Sequence, residues 1–89
     1  MERLSSCEEQ VMSVVWKCTE SPDLRKVMDE VNCKFDHDWR PQTVSTFLLR
    51  LRKKGFLSSE RRGRYTYYTP IKKMEDYKNM ILQELDKMF

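Results

Sequence analysis

The segment from residue 41 to residue 55 constrains this chain most, because both ends of a helix are marked in it. Pro41 suits the first helical position, where its missing N–H would be unpaired in any case. Gly55 suits the position just past the end, where a left-handed backbone is favoured. The pattern predicts a helix over 41–54, whose inner face is formed by Val44, Phe47, Leu48 and Leu51.

Two further helices are predicted before this one. Ser5 and Glu8 form a capping-box pattern, which predicts a first helix over about 6–17. Asp23 is expected to cap a second helix that continues to about Lys34. The buried stripe of that helix is predicted to consist of Leu24, Val27, Met28 and Val31. A polar turn over 35–38 then leads to the third helix.

A hairpin and a last helix are predicted after the third helix. Two β-prone runs, 56–60 and 64–69, flank a turn at 61–63 that contains Gly63. The stretch from Ile71 to Phe89 is predicted to be helical. Its apolar stripe is expected to form a dimer interface, and the alternative is packing against the first helix. The stripe comprises Met74, Tyr77, Ile81, Leu85 and Met88.

The order of these elements predicts a fold class. It is mainly α with a small antiparallel β wing, the arrangement of a winged helix-turn-helix. We expect a winged-helix DNA-binding domain over residues 1–70, followed by a C-terminal helix over 71–89 as a dimerisation element. With 89 residues, the chain is long enough for one modest core.

Positive charge is concentrated in the middle of the chain. The whole chain carries +3, but residues 40–64 hold eight Lys and Arg against Glu60 alone, giving +7. A solvated basic face is one interpretation, and a footprint for a polyanion is the other. The absence of any acidic residue from Arg40 to Ser59 favours DNA. The predicted DNA contacts are Arg40, Gln42, Thr43, Ser45, Thr46, Arg50, Lys53, Lys54, Arg61, Arg62 and Arg64.

Several other function classes are disfavoured by the residues present. One histidine and two glycines provide no nucleophile–base pair or phosphate-binding loop, so we expect no enzymatic activity and no cofactor. The three cysteines, Cys7, Cys18 and Cys33, lack metal-ligand spacing and are expected to be reduced thiols. No apolar run could span a membrane or serve as a signal peptide, which indicates a cytoplasmic protein.

Three motifs resemble the penicillinase-repressor family of the BlaI/MecI/CopY type. The first is Leu4-Ser5-x-x-Glu8-x-x-Val11-Met12-x-Val14-Val15-Trp16. The second and most specific is Trp39-x-x-x-Thr43-Val44-x-Thr46-x-Leu48-x-Arg50-Leu51-x-x-Lys54-Gly55-x-Leu57. The third joins Gly63-Arg64 to Tyr68-Thr69-Pro70.

The resemblance implies a repressor that binds double-stranded operator DNA of palindromic sequence as a homodimer. Thr43 and Thr46 match recognition-helix positions that contact the groove, and Gln42 falls where relatives often carry a cation. Arg40 replaces a small capping residue and is expected to reach phosphate. Thr66 stands where an aromatic residue is common.

Relatives usually continue with a longer helical dimerisation domain. The resemblance therefore implies a naturally short member or a truncated form. An upstream sensor or protease cannot be read from this chain, since no cleavage site matches. The C-terminal cysteine cluster of the family's copper-responsive branch is also absent. The alternative function is a winged-helix protein-interaction module without DNA binding.

Overall fold

The computed structural model describes residues 2–89 and contains four helices and one hairpin. The elements in chain order are α1 (Ser6–Lys17), α2 (Leu24–Phe35), α3 (Pro41–Lys53), β1 (Leu57–Arg62), β2 (Tyr65–Pro70) and α4 (Met74–Met88). The predicted fold class, mainly α with a small antiparallel wing, is confirmed. Across the described chain, no helix combines the length and apolar character that crossing a membrane requires.

The predicted helix boundaries follow from caps that the structure contains. The Ser5 hydroxyl accepts a hydrogen bond from the Glu8 N–H (3.3 Å), and the Glu8 carboxylate accepts one from the Ser5 N–H (2.9 Å). Asp23 accepts a hydrogen bond from the Lys26 N–H at 2.8 Å and so caps α2. Gly55 has a φ of +81°, the left-handed conformation expected just past α3.

The core lies where α1, α2 and α3 meet beneath the base of the hairpin. Helix α1 contributes most to it, and the inner face of α3 packs against α1 and α2. Phe47, predicted on that inner face, is only half-buried, and its ring lies 5.1 Å from the Trp39 ring. The fully buried apolar residues are Val11, Met12, Val15, Val27, Val31, Val44, Leu48, Leu51, Phe56 and Leu57.

The hairpin turn is tighter than the sequence indicated. Arg61 and Arg62, expected in the turn, belong to β1 and pair with Thr66 and Tyr65. The turn itself consists of Gly63 and Arg64. Gly63 has a φ of +63°, as the first central residue of a type II′ turn requires. The turn is short because a two-residue turn of this type matches the twist of the paired strands, so the strands remain paired up to the turn itself.

Helix α4 differs from its prediction in two ways. It begins at Met74 instead of Ile71, because residues 71–72 form a bend and Lys73, at the N-cap, provides no side-chain cap. Tyr77, predicted in a dimer interface, is buried in the core. Its hydroxyl accepts a hydrogen bond from the Leu4 N–H (2.8 Å) and donates one to Glu9 (2.7 Å). The start of α4 therefore packs back onto α1.

Candidate nucleic-acid interface

The outer face of α3 is open to solvent. The inner face of this helix is covered by α1 and α2, so only one side remains available for a partner. Thr43 is half-buried at the edge of the open side. The exposed residues predicted on the outer face of α3 are Gln42, Ser45, Thr46, Arg50 and Lys53. The structure thus brings together on one surface the side chains predicted to read bases.

Thr46 is held in a defined orientation. Its hydroxyl donates a hydrogen bond to the Gln42 carbonyl one turn earlier, at 3.0 Å. Because the hydroxyl hydrogen is engaged, the oxygen remains available as an acceptor. In a DNA groove, this residue would therefore accept from a base amino group or place its methyl group against an apolar surface.

The N-terminus of α3 differs from those of α1 and α2. Arg40 occupies the N-cap position, and no side chain within residues 2–89 caps the helix there. The first turn also lacks an acidic residue, whereas α1 has Glu8 and Glu9 in that position. Pro41 has no N–H, and the Thr43 N–H donates to the Arg40 carbonyl at 3.0 Å, so the Gln42 N–H and the positive end of the helix dipole are left for an external anion. The exposed guanidinium of Arg40 adds positive charge at the same end.

Two cations near the end of α3 are free of internal ion pairs. Among the salt bridges found in the described chain, none includes Arg50 or Lys53, and both side chains are exposed. The Arg50 guanidinium lies 5.7 Å from the Phe47 ring, which packs beneath it. Arg52 instead donates a hydrogen bond to Ser59 at 2.9 Å and so connects the end of α3 to β1.

Lys54, predicted to contact DNA, pairs with a buried carboxylate in the structure. Its ammonium nitrogen lies 2.8 Å from a Glu8 carboxylate oxygen, and Glu8 is only 2% exposed. Burial alone would raise the pKa of Glu8, but hydrogen bonds from Lys54 and Ser5 lower it overall. Lys54 compensates this buried carboxylate, and its contact with DNA stays a prediction.

The wing arginines do not point in one direction. Successive residues of a strand face opposite sides, so Arg61 and Arg62 lie on opposite faces of the hairpin. Arg61 shares its face with buried Leu57 at the base of the strand. The Arg62 guanidinium lies 4.6 Å from the Tyr67 ring and 3.7 Å from the Glu60 carboxylate. Arg64 is exposed in the turn.

Comparison with known proteins identifies the family of this chain. A family model described as "Penicillinase repressor" matches residues 4–89. The chain belongs to the penicillinase repressor family. The penicillinase repressor of Bacillus licheniformis is 39% identical over 75 residues, which make up 84% of this chain and 56% of that protein. This family member thus matches little more than half the length of that relative.

Two solved structures share the winged-helix fold of this penicillinase repressor family member. One is the solution structure of monomeric Bacillus licheniformis BlaI in complex with the blaP half-operator. Its TM-score is 0.68 at 37% identity, covering 85% of this chain and 89% of that one. The other is the DNA-binding domain of the repressor BlaI, with TM-score 0.70, 38% identity and coverages of 86% and 94%. These proteins are repressors and not enzymes, as the sequence analysis expected of this chain.

Two exposed residues of this family member were not singled out from the sequence. Leu49 lies on the open face of α3 with 45% of its surface exposed. Tyr65 is exposed beside the wing turn. The spacing of α3 contains a signal for Leu49, because Leu48 and Leu51 already complete the inner stripe. No local sequence pattern indicates that Tyr65 is more exposed than the other tyrosines of β2.

Proposed function

We propose that this chain is a sequence-specific DNA-binding repressor, with α3 in the major groove and the wing on the backbone or the adjacent minor groove. One observation carries the proposal: the open face of α3 is polar, free of acidic residues and continuous in sequence with a basic wing. The similar BlaI domain in complex with half-operator DNA supports it. Occupying promoter DNA would repress transcription by steric exclusion.

The chemistry of the α3 face suits a DNA groove. A major groove about 12 Å wide admits one helix, whose first turns approach the base edges. Gln42 can form two hydrogen bonds with adenine, and Thr46 offers an acceptor oxygen. Arg50 and Lys53 lie one to two turns further along, where they can reach phosphates. Ser45 and half-buried Thr43 complete the proposed contacts of this helix.

Selection from random duplex DNA tests the proposal. The unmodified chain should enrich one sequence, and the logarithm of its affinity should fall by about 0.9 per logarithmic unit of salt for each phosphate contacted. The measurement is a fluorescence-anisotropy titration at several salt concentrations on enriched and scrambled duplexes. Failure to enrich any sequence, together with a flat salt dependence, would contradict DNA recognition and favour a protein-interaction module.

Thr46→Ala is expected to relax discrimination at one base pair of the enriched site, at a cost of about 1–3 kcal/mol there. The reason is the loss of an acceptor oxygen and a methyl group held by the hydrogen bond to Gln42. Affinities for single-base variants of the site measure the effect. Equal weakening on all duplexes, scrambled DNA included, would show that Thr46 does not read a base.

Arg61→Ala should weaken binding to every duplex and reduce the salt slope by about 0.9. Arg62→Ala should change the slope less, because the Arg62 charge already lies near Glu60 and the Tyr67 ring. Arg3→Ala is the matched control, since the exposed Arg3 side chain pairs with Glu84 of α4. An Arg61→Ala slope equal to that of the Arg3→Ala protein would show that Arg61 contacts no phosphate.

We also propose that the chain forms a homodimer through the end of α4. The predicted stripe divides: Tyr77 and Ile81 pack against the core, whereas Leu85 and Met88 remain exposed. A monomeric form of BlaI binds a half-operator, so an operator with two-fold symmetry can hold two copies. Only the exposed half of the stripe is available to a second copy of this chain.

Leu85→Glu combined with Met88→Glu should shift the chain from dimer to monomer, because two charges would be buried in an apolar contact. Sedimentation velocity over a range of protein concentrations measures the shift. Ile71→Glu, an exposed apolar position outside α4, is the control and should remain dimeric. A monomeric unmodified chain at tens of micromolar would contradict the dimer.

A further inference from the structure

We propose that Leu49 reads DNA as well, by contacting the 5-methyl group of a thymine in the major groove. This inference rests on the proposed function. Leu49 lies in the middle of the open α3 face with 45% of its surface exposed. Its neighbours one turn away on that face are exposed and polar, namely Ser45, Thr46 and Lys53.

The fold does not need Leu49 for its core. Leu48 and Leu51 on the same helix are fully buried and complete the apolar inner face. Single exposed leucines are ordinary on protein surfaces. The other large hydrophobic residues found exposed in the described chain lie at the wing turn, at residue 71 and on the end of α4. Leu49 is therefore the large apolar side chain exposed to solvent on the otherwise polar open face of α3.

The chemistry of the groove identifies its partner. Base edges in the major groove display hydrogen-bond donors and acceptors, and the thymine methyl is the apolar group among them. Leu49 follows Gln42 by seven residues, which is about 10 Å along the helix axis. The rise of 3.4 Å per base pair is measured along the DNA axis, to which the groove is inclined, so this distance covers at most about three base-pair steps. With α3 lying along the groove, the thymine should be within about three steps of the pair beside Gln42.

Replacing thymine by uracil tests this contact, since it removes the methyl group and keeps the base pair. Each thymine of the enriched duplex is replaced in turn, and affinities are measured with the unmodified chain. Loss of one buried methyl group should weaken binding about four-fold at one position. Leu49→Ala should bind the thymine and uracil duplexes equally at that position. Leu49→Met, which restores an apolar side chain, should regain the difference.

Two controls make the outcome decisive. Ile71→Ala removes an equally apolar exposed side chain outside the interface and should keep the four-fold uracil effect. Circular dichroism and thermal unfolding confirm that each variant is folded. A uracil effect that persists in Leu49→Ala, or no position sensitive to uracil, would overturn the role of Leu49 while leaving DNA recognition intact. No preference for the enriched duplex at all would overturn the proposed function and this inference together.

Discussion

Glu8→Ala is expected to lower the free energy of unfolding by about 3 kcal/mol. The substitution removes the acceptor that completes the Ser5 capping box and leaves the Lys54 ammonium without its buried partner. The cost falls at the lower end for a broken buried pair, because Lys54 is 28% exposed and can reach water. Urea unfolding at neutral pH measures it.

Glu2→Ala is the matched control for this prediction. Glu2 also lies near Lys54, at 3.9 Å, but it is exposed, and surface pairs contribute little. Its substitution should change the unfolding free energy by less than about 0.5 kcal/mol. Similar losses for the two variants would show that the Glu8 pair is no stronger than a surface contact.

The same ion pair makes stability depend on pH in the acidic range. The pKa of Glu8 is lower in the folded chain than its usual value of 4.5. The folded state therefore favours the ionised form, and this stabilisation is present above pH 4.5. It is lost as the pH falls through the lowered folded pKa. Glu8→Gln should remove this part of the acid dependence.

Lys54→Met separates the structural role of Lys54 from DNA binding. The variant should lose stability, because a buried carboxylate is left unpaired. Its salt slope for DNA binding, measured where the variant is folded, should equal that of the unmodified chain. A salt slope reduced by about one would show that Lys54 contacts a phosphate.

Tyr77→Ala should lower the free energy of unfolding by about 4 kcal/mol, because a buried aromatic side chain between Trp16 and Phe56 is removed. Tyr77→Phe keeps the ring and removes only the hydroxyl, so it should cost about 1–3 kcal/mol by leaving the Leu4 N–H without its acceptor. Urea unfolding of both variants measures the two contributions separately.

Tyr77 also makes stability depend on alkaline pH. Burial, followed by the hydrogen bond to Glu9, raises the pKa of Tyr77 to about 12 from 10. The folded state therefore favours the neutral phenol. The stabilisation is complete below pH 10 and is lost as the pH rises from 10 to about 12. Tyr77→Phe should lack this alkaline component.

The behaviour of Tyr77 distinguishes core packing from a dimer contact. If Tyr77 belonged to an interface between two copies, Tyr77→Phe would shift the monomer–dimer equilibrium and leave the unfolding of the monomer unchanged. The structure predicts the reverse. Sedimentation and unfolding measured on the same variant therefore decide between the two positions.

Features governed by near neighbours in the sequence were predictable. The caps of α1 and α2 join residues three positions apart, so Ser5, Glu8 and Asp23 mark them without knowledge of the fold. Pro41 and Gly55 mark α3 through backbone preferences of their own. The start of α4 was misplaced by three residues because Lys73 forms no cap and leaves no such mark.

Features that depend on distant contacts were not predictable. Lys54 fits a basic face by charge and position, yet its partner Glu8 lies 46 residues earlier. The exposed and buried ends of the α4 stripe share the same helical spacing. A periodic pattern shows which side of a helix is apolar, but it does not show what covers that side.

The sequence by itself determined where the first three helices begin and end and where most of the polar residues on the open side of α3 lie, because capping, backbone freedom and helical period act within a few residues. Only the tertiary structure decided that Lys54 neutralises Glu8, that Tyr77 fastens α4 to α1, and that Arg61 and Arg62 face apart. Those outcomes depend on which surfaces come into contact when the chain folds. A buried charge or hydroxyl needs a hydrogen-bond or ion-pair partner, and the packing decides which residue is close enough to provide one.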